Sequence, residues 1–200
     1  MLAAELGETL APFAVPEHEL ASIAECILAN RPKFRPVRIL IDVTHTTCVD
    51  HRGGIQRVVR NLTEQLCHKK APAWQAVPVR LMNGEIYENE AIIGFTPAAI
   101  AEKQEFGPEW HDIMLMLDAP WGHYNDFREI FPRIRARQGR IYVVIYDLLC
   151  VLCPQFFTAD VPAMFDNWLA AAVLDSDGCI CISRTVADEL IHYIQARKLP

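Results

Sequence analysis

The stretch from Arg38 to Leu66 constrains the fold most, because a strand pattern, a glycine pair and an amphipathic helix pattern follow one another there. An apolar run ends at Asp42, and a polar loop then leads to Gly53 and Gly54. Beyond the glycines, apolar residues recur at helical spacing, and these are Ile55, Val58, Val59, Leu62 and Leu66. The pattern predicts a strand, a glycine turn and a helix, the local architecture that holds an anion at a helix N-terminus in α/β proteins.

The glycine pair, Gly53 and Gly54, has two interpretations. The amide groups of a first helical turn have no partner within the helix, the helix dipole favours negative charge there, and glycine lets a ligand approach the backbone closely. A tight turn that only connects the strand to its helix is the other interpretation, because two glycines are a weak motif.

Length, composition and charge exclude several classes of protein. Two hundred residues with 52% hydrophobic content suit one globular domain of generous size, or one domain with an appendage. A net charge of −6 argues against a nucleic-acid binder, which needs a basic face. We find no apolar run near the roughly 20 residues of a membrane span, and Glu5 and Glu8 stand where an export signal needs positive charge. We therefore expect a cytoplasmic protein.

Seven cysteines, an odd number, lie in apolar segments, which suits a reducing compartment and free thiols. Two pairs, Cys150 with Cys153 and Cys179 with Cys181, would offer four zinc ligands if they met. The second pair has an atypical spacing, and cysteine is a common small core residue. We interpret these residues as structural thiols and expect no metal.

Strand and helix patterns alternate from Val37 onward, whereas residues 1–36 predict a helical appendage. The predicted strands are 38–43, 74–81, 85–87, 112–117, 140–146 and 179–182, and the predicted helices are 54–68, 124–138, 161–174 and one that begins after Ser183. Pro78 places its strand near a sheet edge, and residues 88–111 have no clear period. Strands separated by helices predict a Rossmann-like α/β domain over 37–200, with a mainly parallel sheet flanked by helices.

Polar residues follow several of the predicted strands, at the edge where parallel sheets bind ligands. After the glycine loop, these are Asp118 and Trp121, then Asp147, then Ser183 and Arg184. The indole of Trp121 and the carboxylate of Asp118 would suit a sugar, although tryptophan in a loop often only packs. Asp147 would orient a hydroxyl or act as a base, or it would cap the next turn. Ser183 is an expected helix N-cap, and Arg184 would meet an anionic substrate.

Several segments occur in an order that resembles the N-terminal half of bacterial enzymes of glycosyltransferase family 4, the group 1 transferases that build surface polysaccharides. The matching segments are LIDVTHT, GGIQRVVRNL, LDAPW, IYVVIYDLLCVLCPQFF and CISRTVADEL. The resemblance covers the chain from about Arg38 to its end. It implies the GT-B architecture, in which two Rossmann-like domains face each other across a cleft.

The resemblance also implies roles for residues. Gly53 and Gly54 match the glycine loop that contacts the diphosphate and sugar of the donor. Asp147 follows the strand that ends near the transferred sugar, with Tyr146 where many relatives have histidine, so that no catalytic histidine carries over. A nucleotide sugar and a glycan or lipid-linked acceptor would be the substrates, without a cofactor.

Because the donor-binding second domain of that family is not among these 200 residues, we expect little or no transferase activity from them alone. They would be part of a longer enzyme or would work with a separate C-terminal donor domain. The alternative is a non-catalytic Rossmann-like module that binds glycan or another protein.

A basic amphipathic stretch from Tyr124 to Arg140 has two interpretations. Its arginines are Arg128, Arg133, Arg135, Arg137 and Arg140. They would rest on anionic lipid at the inner face of the membrane, as in relatives with lipid-linked acceptors, or they would form a solvated helix face.

Overall fold

A computed structural model describes residues 13, 16–30, 36–49, 52–69, 71–89 and 107–200. The chain divides into two compact units between Arg35 and Pro36. In the first unit, helix α1 spans Glu17–Asn30, with Ala24 buried and Ile23 exposed. The start of the chain and most of the segment 88–111 lie outside the described residues, so the expectations for them stay open.

The second unit contains a six-stranded sheet and the helices between its strands. The strands are β1 (Val37–Asp42), β2 (Trp74–Met82), β3 (Glu85–Glu88), β4 (Ile113–Met116), β5 (Arg140–Ile145) and β6 (Gly178–Cys181). The helices are α2 (Thr44–Cys48), α3 (Gly54–His68), α4 (Tyr124–Arg135), α5 (Leu149–Leu152), α6 (Asp160–Asp175) and α7 (Arg184–Arg197), with a 3-10 turn at Pro154–Phe156. The predicted elements are present, and their ends differ by up to three residues.

The strands are ordered β3-β2-β1-β4-β5-β6, and all neighbours are parallel except β2 and β3. This order confirms the predicted Rossmann-like α/β class. The order in which strands are added to the sheet reverses after β2 and β3. These two strands lie on one side of β1, and β4, β5 and β6 lie on the other side. Such a switch point leaves a crevice at the carboxyl ends of β1 and β4.

Pro78 lies one strand in from the edge, in β2. The antiparallel pairing with β3 runs from Met82 to Val79, and the carbonyl of Pro78 then accepts a hydrogen bond from the amide of Asn89. A proline has no amide hydrogen to continue that ladder. The short hairpin strand therefore ends where the proline begins.

Two apolar clusters hold the sheet, one on each face. On one face, α4, α6 and α7 cover alternate residues of the central strands, including Leu40, Met114 and Val143. On the other face, Val59 of α3 packs with Ile41 and its neighbours in a smaller cluster. The central strands are covered on both faces, which is why their sequences are almost continuously apolar.

The amino ends of β1 and β4 are joined by a buried ion pair. The guanidinium of Arg38 donates to both carboxylate oxygens of Asp112, at 3.0 and 2.6 Å, and to the carbonyl of Gly107. A bidentate, hydrogen-bonded geometry is what a buried charge pair requires. This polar contact belongs to the edge opposite the strand ends that carry the candidate site.

A candidate site at the carboxyl ends of the strands

The carboxyl ends of β1 and β4 are bridged by the short helix α2. The amide of Thr44 donates to Oδ1 of Asp42 at 2.9 Å, at the end of β1. The amide and the hydroxyl of Thr46 donate to the two oxygens of Asp118, at 2.6 and 3.0 Å, just beyond β4. The hydroxyl of Thr44 also accepts the amide of Leu81 in β2, at 2.9 Å. The helix is thereby fastened across the switch point of the sheet.

Asp118 and Asp42 are both buried, yet their surroundings differ. Asp118 accepts a third hydrogen bond, from the amide of Ala119 at 2.8 Å, whereas Oδ2 of Asp42 has no hydrogen-bond partner. Burial, followed by repulsion from Asp118, raises the pKa of Asp42 to about 7, although its hydrogen bonds with Thr44 favour the charged form. Near neutral pH, Asp42 is therefore still protonated in a substantial fraction of the molecules, beside a hydrogen-bonded carboxylate.

A shallow pocket opens beside this pair, beyond the ends of β4 and β5. Its lining residues are Asp118, Trp121, Val144, Tyr146, Asp147, Phe165 and Trp168. The empty volume of about 230 Å³ includes space that is open to solvent, so the pocket is a shallow depression rather than an enclosed cavity. The pocket therefore does not enclose a ligand by itself.

Aromatic packing holds the wall of this pocket. Trp121 meets Phe165 edge-on with ring centroids 5.0 Å apart, and Trp168 lies 6.0 Å from it. Phe165 and Trp168 come from α6 and are buried, but Trp121 is only half-buried. Trp121 thus packs against aromatic neighbours and is also partly exposed. Its role in sugar binding stays a prediction.

Tyr146 and Asp147 complete the pocket from the end of β5. The hydroxyl of Tyr146 donates to the carbonyl of Leu117 at 2.8 Å. Burial and the nearby Asp118 and Asp42 charges raise its pKa, so that Tyr146 stays neutral. Asp147 accepts the amide of Leu149 at 3.0 Å and remains partly exposed. It therefore caps the next turn and borders the pocket at once.

The predicted donor-phosphate residues form the start of α3. Gly53 is the N-cap, with an extended backbone and no side-chain cap, and Gly54 is the first helical residue. A Cβ on Gly54 would meet nothing within 4 Å, whereas one on Gly53 would lie 2.7 Å from the flexible end of Gln56. Neither glycine has a positive φ, so the backbone there is accessible without being strained. Neither glycine lines the pocket.

Ser183 and Arg184 lie apart from the pocket as well. Ser183 is the predicted N-cap, and its hydroxyl accepts the amide of Val186 at 3.2 Å at the start of α7. The side chain of Arg184 is 95% exposed, with Asp188 of the same helix 3.9 Å away. The structure therefore brings Asp118, Trp121 and Asp147 together but leaves the glycines, Ser183 and Arg184 outside this group.

Several arginines of the basic stretch are engaged within the domain. Arg128 pairs with Asp175 at 2.7 Å, and Arg133 pairs with Glu85 at 2.6 Å. Arg135 donates to the carbonyl of Asp175. The helix α4 thus uses part of its positive charge to contact its neighbours, which reduces what it can offer to anionic lipid. In the parts of the chain that the structure describes, no helix is long and apolar enough to cross a membrane.

The seven cysteines all lie in described segments, and none of them forms a disulfide bond. Burial raises the pKa of Cys179 and of Cys181, which keeps both thiols protonated. Within the described ranges, no three histidine, cysteine or acidic side chains are grouped as a metal site.

Sequence reasoning did not select Asp42, Thr46, Phe165 and Trp168 as site residues. Asp42 could have been found, because it ends a buried strand just as Asp118 and Asp147 follow theirs. The other three carry no such signal. Thr46 meets Asp118 across 72 positions, and the two aromatic residues of α6 read as ordinary core positions of an amphipathic helix.

The fold and the pocket define an α/β domain with a shallow depression at its carboxyl edge, and comparison with known proteins adds a chemical class. Three Escherichia coli proteins, each named serotype-specific mannosyltransferase WbdA, are 22% identical to this chain over 183 residues. The match covers 90% of this chain and 22% of each relative, so the chain spans about a fifth of their length. The likeness supports a relation to glycosyltransferases in general. No protein-family model and no solved structure matches the chain.

Proposed function

We propose that this chain is the acceptor-side domain of a sugar-nucleotide-dependent glycosyltransferase of surface polysaccharide biosynthesis, with the GT-B arrangement typical of family 4. The observation that carries the proposal is the pocket in which a half-buried indole and a partly exposed carboxylate meet at the carboxyl edge of the sheet. The similarity to three mannosyltransferases supports it and makes a mannose-containing glycan the first acceptor to test.

Each residue of the pocket has a chemical task in this proposal. Trp121 offers an apolar face on which a pyranose ring stacks. Asp147 accepts a hydrogen bond from the attacking hydroxyl and acts as its base or orients it. Asp118 supports the pocket through its bonds to α2, because its oxygens already accept three donors.

The donor diphosphate is assigned to the start of α3. The amides of the first turn after Gly53 have no side-chain cap, and the helix dipole favours an anion there. A leaving diphosphate needs several such contacts in the transition state. Further donor contacts therefore come from a second domain, in the same or a separate chain, and the 200 residues alone turn over slowly or not at all. A cytoplasmic location and contact with lipid-linked acceptors at the inner membrane face belong to the same proposal.

The four tryptophans provide a direct test, since each indole N–H gives its own ¹⁵N NMR signal. Titration with mannose oligosaccharides, with other glycans as a panel, is expected to shift the Trp121 signal. Trp74 and Trp110 lie outside the pocket lining and serve as internal controls. If the signals of all four tryptophans stay unmoved across the panel at millimolar concentration, the acceptor assignment fails.

Two variants refine the test. Asp147→Asn keeps the shape of the pocket and removes the charge, so we expect weaker saccharide binding and, with the donor domain supplied, at least tenfold slower transfer. Asp160→Asn changes an exposed acid at the start of α6 and is the matched control. Binding that shifts Trp121 but never contributes to transfer with the donor domain present would favour the alternative, a non-catalytic glycan-binding module.

Rapid turnover of nucleotide sugars by the 200 residues alone would contradict the half-site assignment. The assay uses UDP-, GDP- and TDP-sugars with the same glycan panel. We expect no product above the level of an Asp147→Asn sample.

A further inference from the structure

Helix α2 lies across the crevice where α/β sheets of this order bind their ligands. Its backbone is tied to the end of β1 through Asp42 and to the segment after β4 through Asp118. Both carboxyl groups are at most 1% exposed. Together with the bond from the amide of Leu81 to the hydroxyl of Thr44, these contacts hold α2 over the switch point of the sheet.

Asp118 and Asp42 differ in the number of hydrogen bonds that they accept. Asp118 accepts three hydrogen bonds from protein donors, which stabilises its charge. Asp42 accepts the amide of Thr44 on one oxygen, while its other oxygen, Oδ2, is buried without a partner. A buried carboxylate oxygen that lacks a donor and lies near a second negative charge is costly, and a proton on that oxygen lowers the cost by removing the charge.

We propose that Asp42 is a proton-operated latch for helix α2: neutral Asp42 holds the helix on the strand ends, and ionised Asp42 releases it. Ionisation would place two negative charges in one buried space beneath α2. Movement of α2 admits water and relieves both the repulsion and the missing hydrogen bonds. The latch is a property of the fold and does not depend on the glycosyltransferase proposal.

The direction of the pH dependence follows from linkage. Burial raises the pKa of Asp42 from 3.8 to about 7, whereas an opened, hydrated Asp42 returns toward the lower value. Between these values the closed state holds a proton that the open state has lost. The opening constant of α2 therefore rises with pH, by up to about tenfold per unit, and levels off above about pH 7.

Other titratable groups around Asp42 must be separated from it. They are Asp118 after β4, Tyr146 after β5, Arg80 in β2 and His45 in α2 itself. Tyr146 stays neutral through this range because its pKa is raised. His45 is the competitor, because it is a titratable side chain within α2 itself.

Carboxyl ¹³C NMR of the full 200-residue chain tests the latch directly. The Asp42 signal is expected to titrate with a midpoint near neutral pH. In parallel, the hydrogen-exchange protection of the Thr44 and Thr46 amides, corrected for intrinsic exchange, should fall as the pH rises from 5 to 7. A midpoint below pH 5, or protection that is constant over this range, would overturn the proposal.

Three variants locate the effect. Asp42→Asn is a neutral isostere, so α2 should stay protected and the pH dependence should vanish. His45→Gln should leave the pH dependence in place. Asp147→Asn is the matched control, because Asp147 accepts the amide two residues later at 3.0 Å, as Asp42 does at 2.9 Å, but is partly exposed. A pH dependence lost in His45→Gln and kept in Asp42→Asn would assign the switch to the histidine and refute the latch.

Discussion

Replacing Asp118 by alanine removes the acceptor of three donors, two of them from Thr46 in buried bonds and one from the amide of Ala119. A hydrogen bond to a charged group contributes about 1.5–3 kcal/mol, and a buried donor left without a partner costs about 1–3 kcal/mol. The three bonds share one acceptor and are not additive, and loss of the Asp118 charge relieves repulsion on Asp42. We therefore expect Asp118→Ala to lower the free energy of unfolding by about 3–5 kcal/mol.

Urea denaturation at pH 7, followed by circular dichroism and tryptophan fluorescence, measures this loss. The matched variant is Asp147→Ala, which removes a single, exposed bond to Leu149 and should cost about 1 kcal/mol or less. If Asp118→Ala does not fold, Asp118→Asn gives a smaller loss of the same origin, because it keeps one acceptor oxygen. A loss below about 1 kcal/mol for Asp118→Ala would refute the view that this carboxylate anchors α2.

Two further predictions concern stability away from the pocket. Asp112→Ala leaves the buried guanidinium of Arg38 without its bidentate partner. We therefore expect the free energy of unfolding, measured by urea denaturation, to fall by about 3–5 kcal/mol. A fall no larger than that of the exposed variant Arg184→Ala would contradict this prediction. Ser183→Ala removes the N-cap bond to Val186 at the start of α7 and should lower the free energy of unfolding by about 1 kcal/mol. Ser183→Thr keeps a hydroxyl at the cap and should restore most of this loss. Equal stability of the alanine and threonine variants would show that the cap contributes nothing.

Local sequence patterns predicted the elements of this domain well. Helix α3 occupies the predicted residues, Gly54–His68. Its apolar stripe and the glycines at its start are both local sequence features, which is why the sequence predicted them. Ser183 likewise forms the predicted cap, since a cap and the amide that it accepts lie three residues apart. Patterns of this kind involve only residues that are close together in the sequence, so they can be recognised before the fold is known.

Which strand ends meet depends on contacts between distant residues. The alternation of strands and helices predicts a parallel sheet, but it does not predict that β1 lies between β2 and β4. That order decides that Asp118 anchors α2, and it brings Trp121 within 5.0 Å of Phe165, 44 positions later. It also leaves Ser183 and Arg184 outside the pocket, although they too follow a strand.

The amino-acid sequence by itself predicts the α/β class, the approximate strand ends and the acids that follow the strands, because these features depend on local sequence patterns. Burial and neighbouring charge come from the assembled sheet. They make Asp42 an acid with a raised pKa, Asp118 a hydrogen-bonded anchor and Asp147 a partly exposed carboxylate, although all three are aspartates at strand ends. Identical side chains differ here because desolvation, repulsion and hydrogen bonding depend on what the fold places within a few ångströms of each.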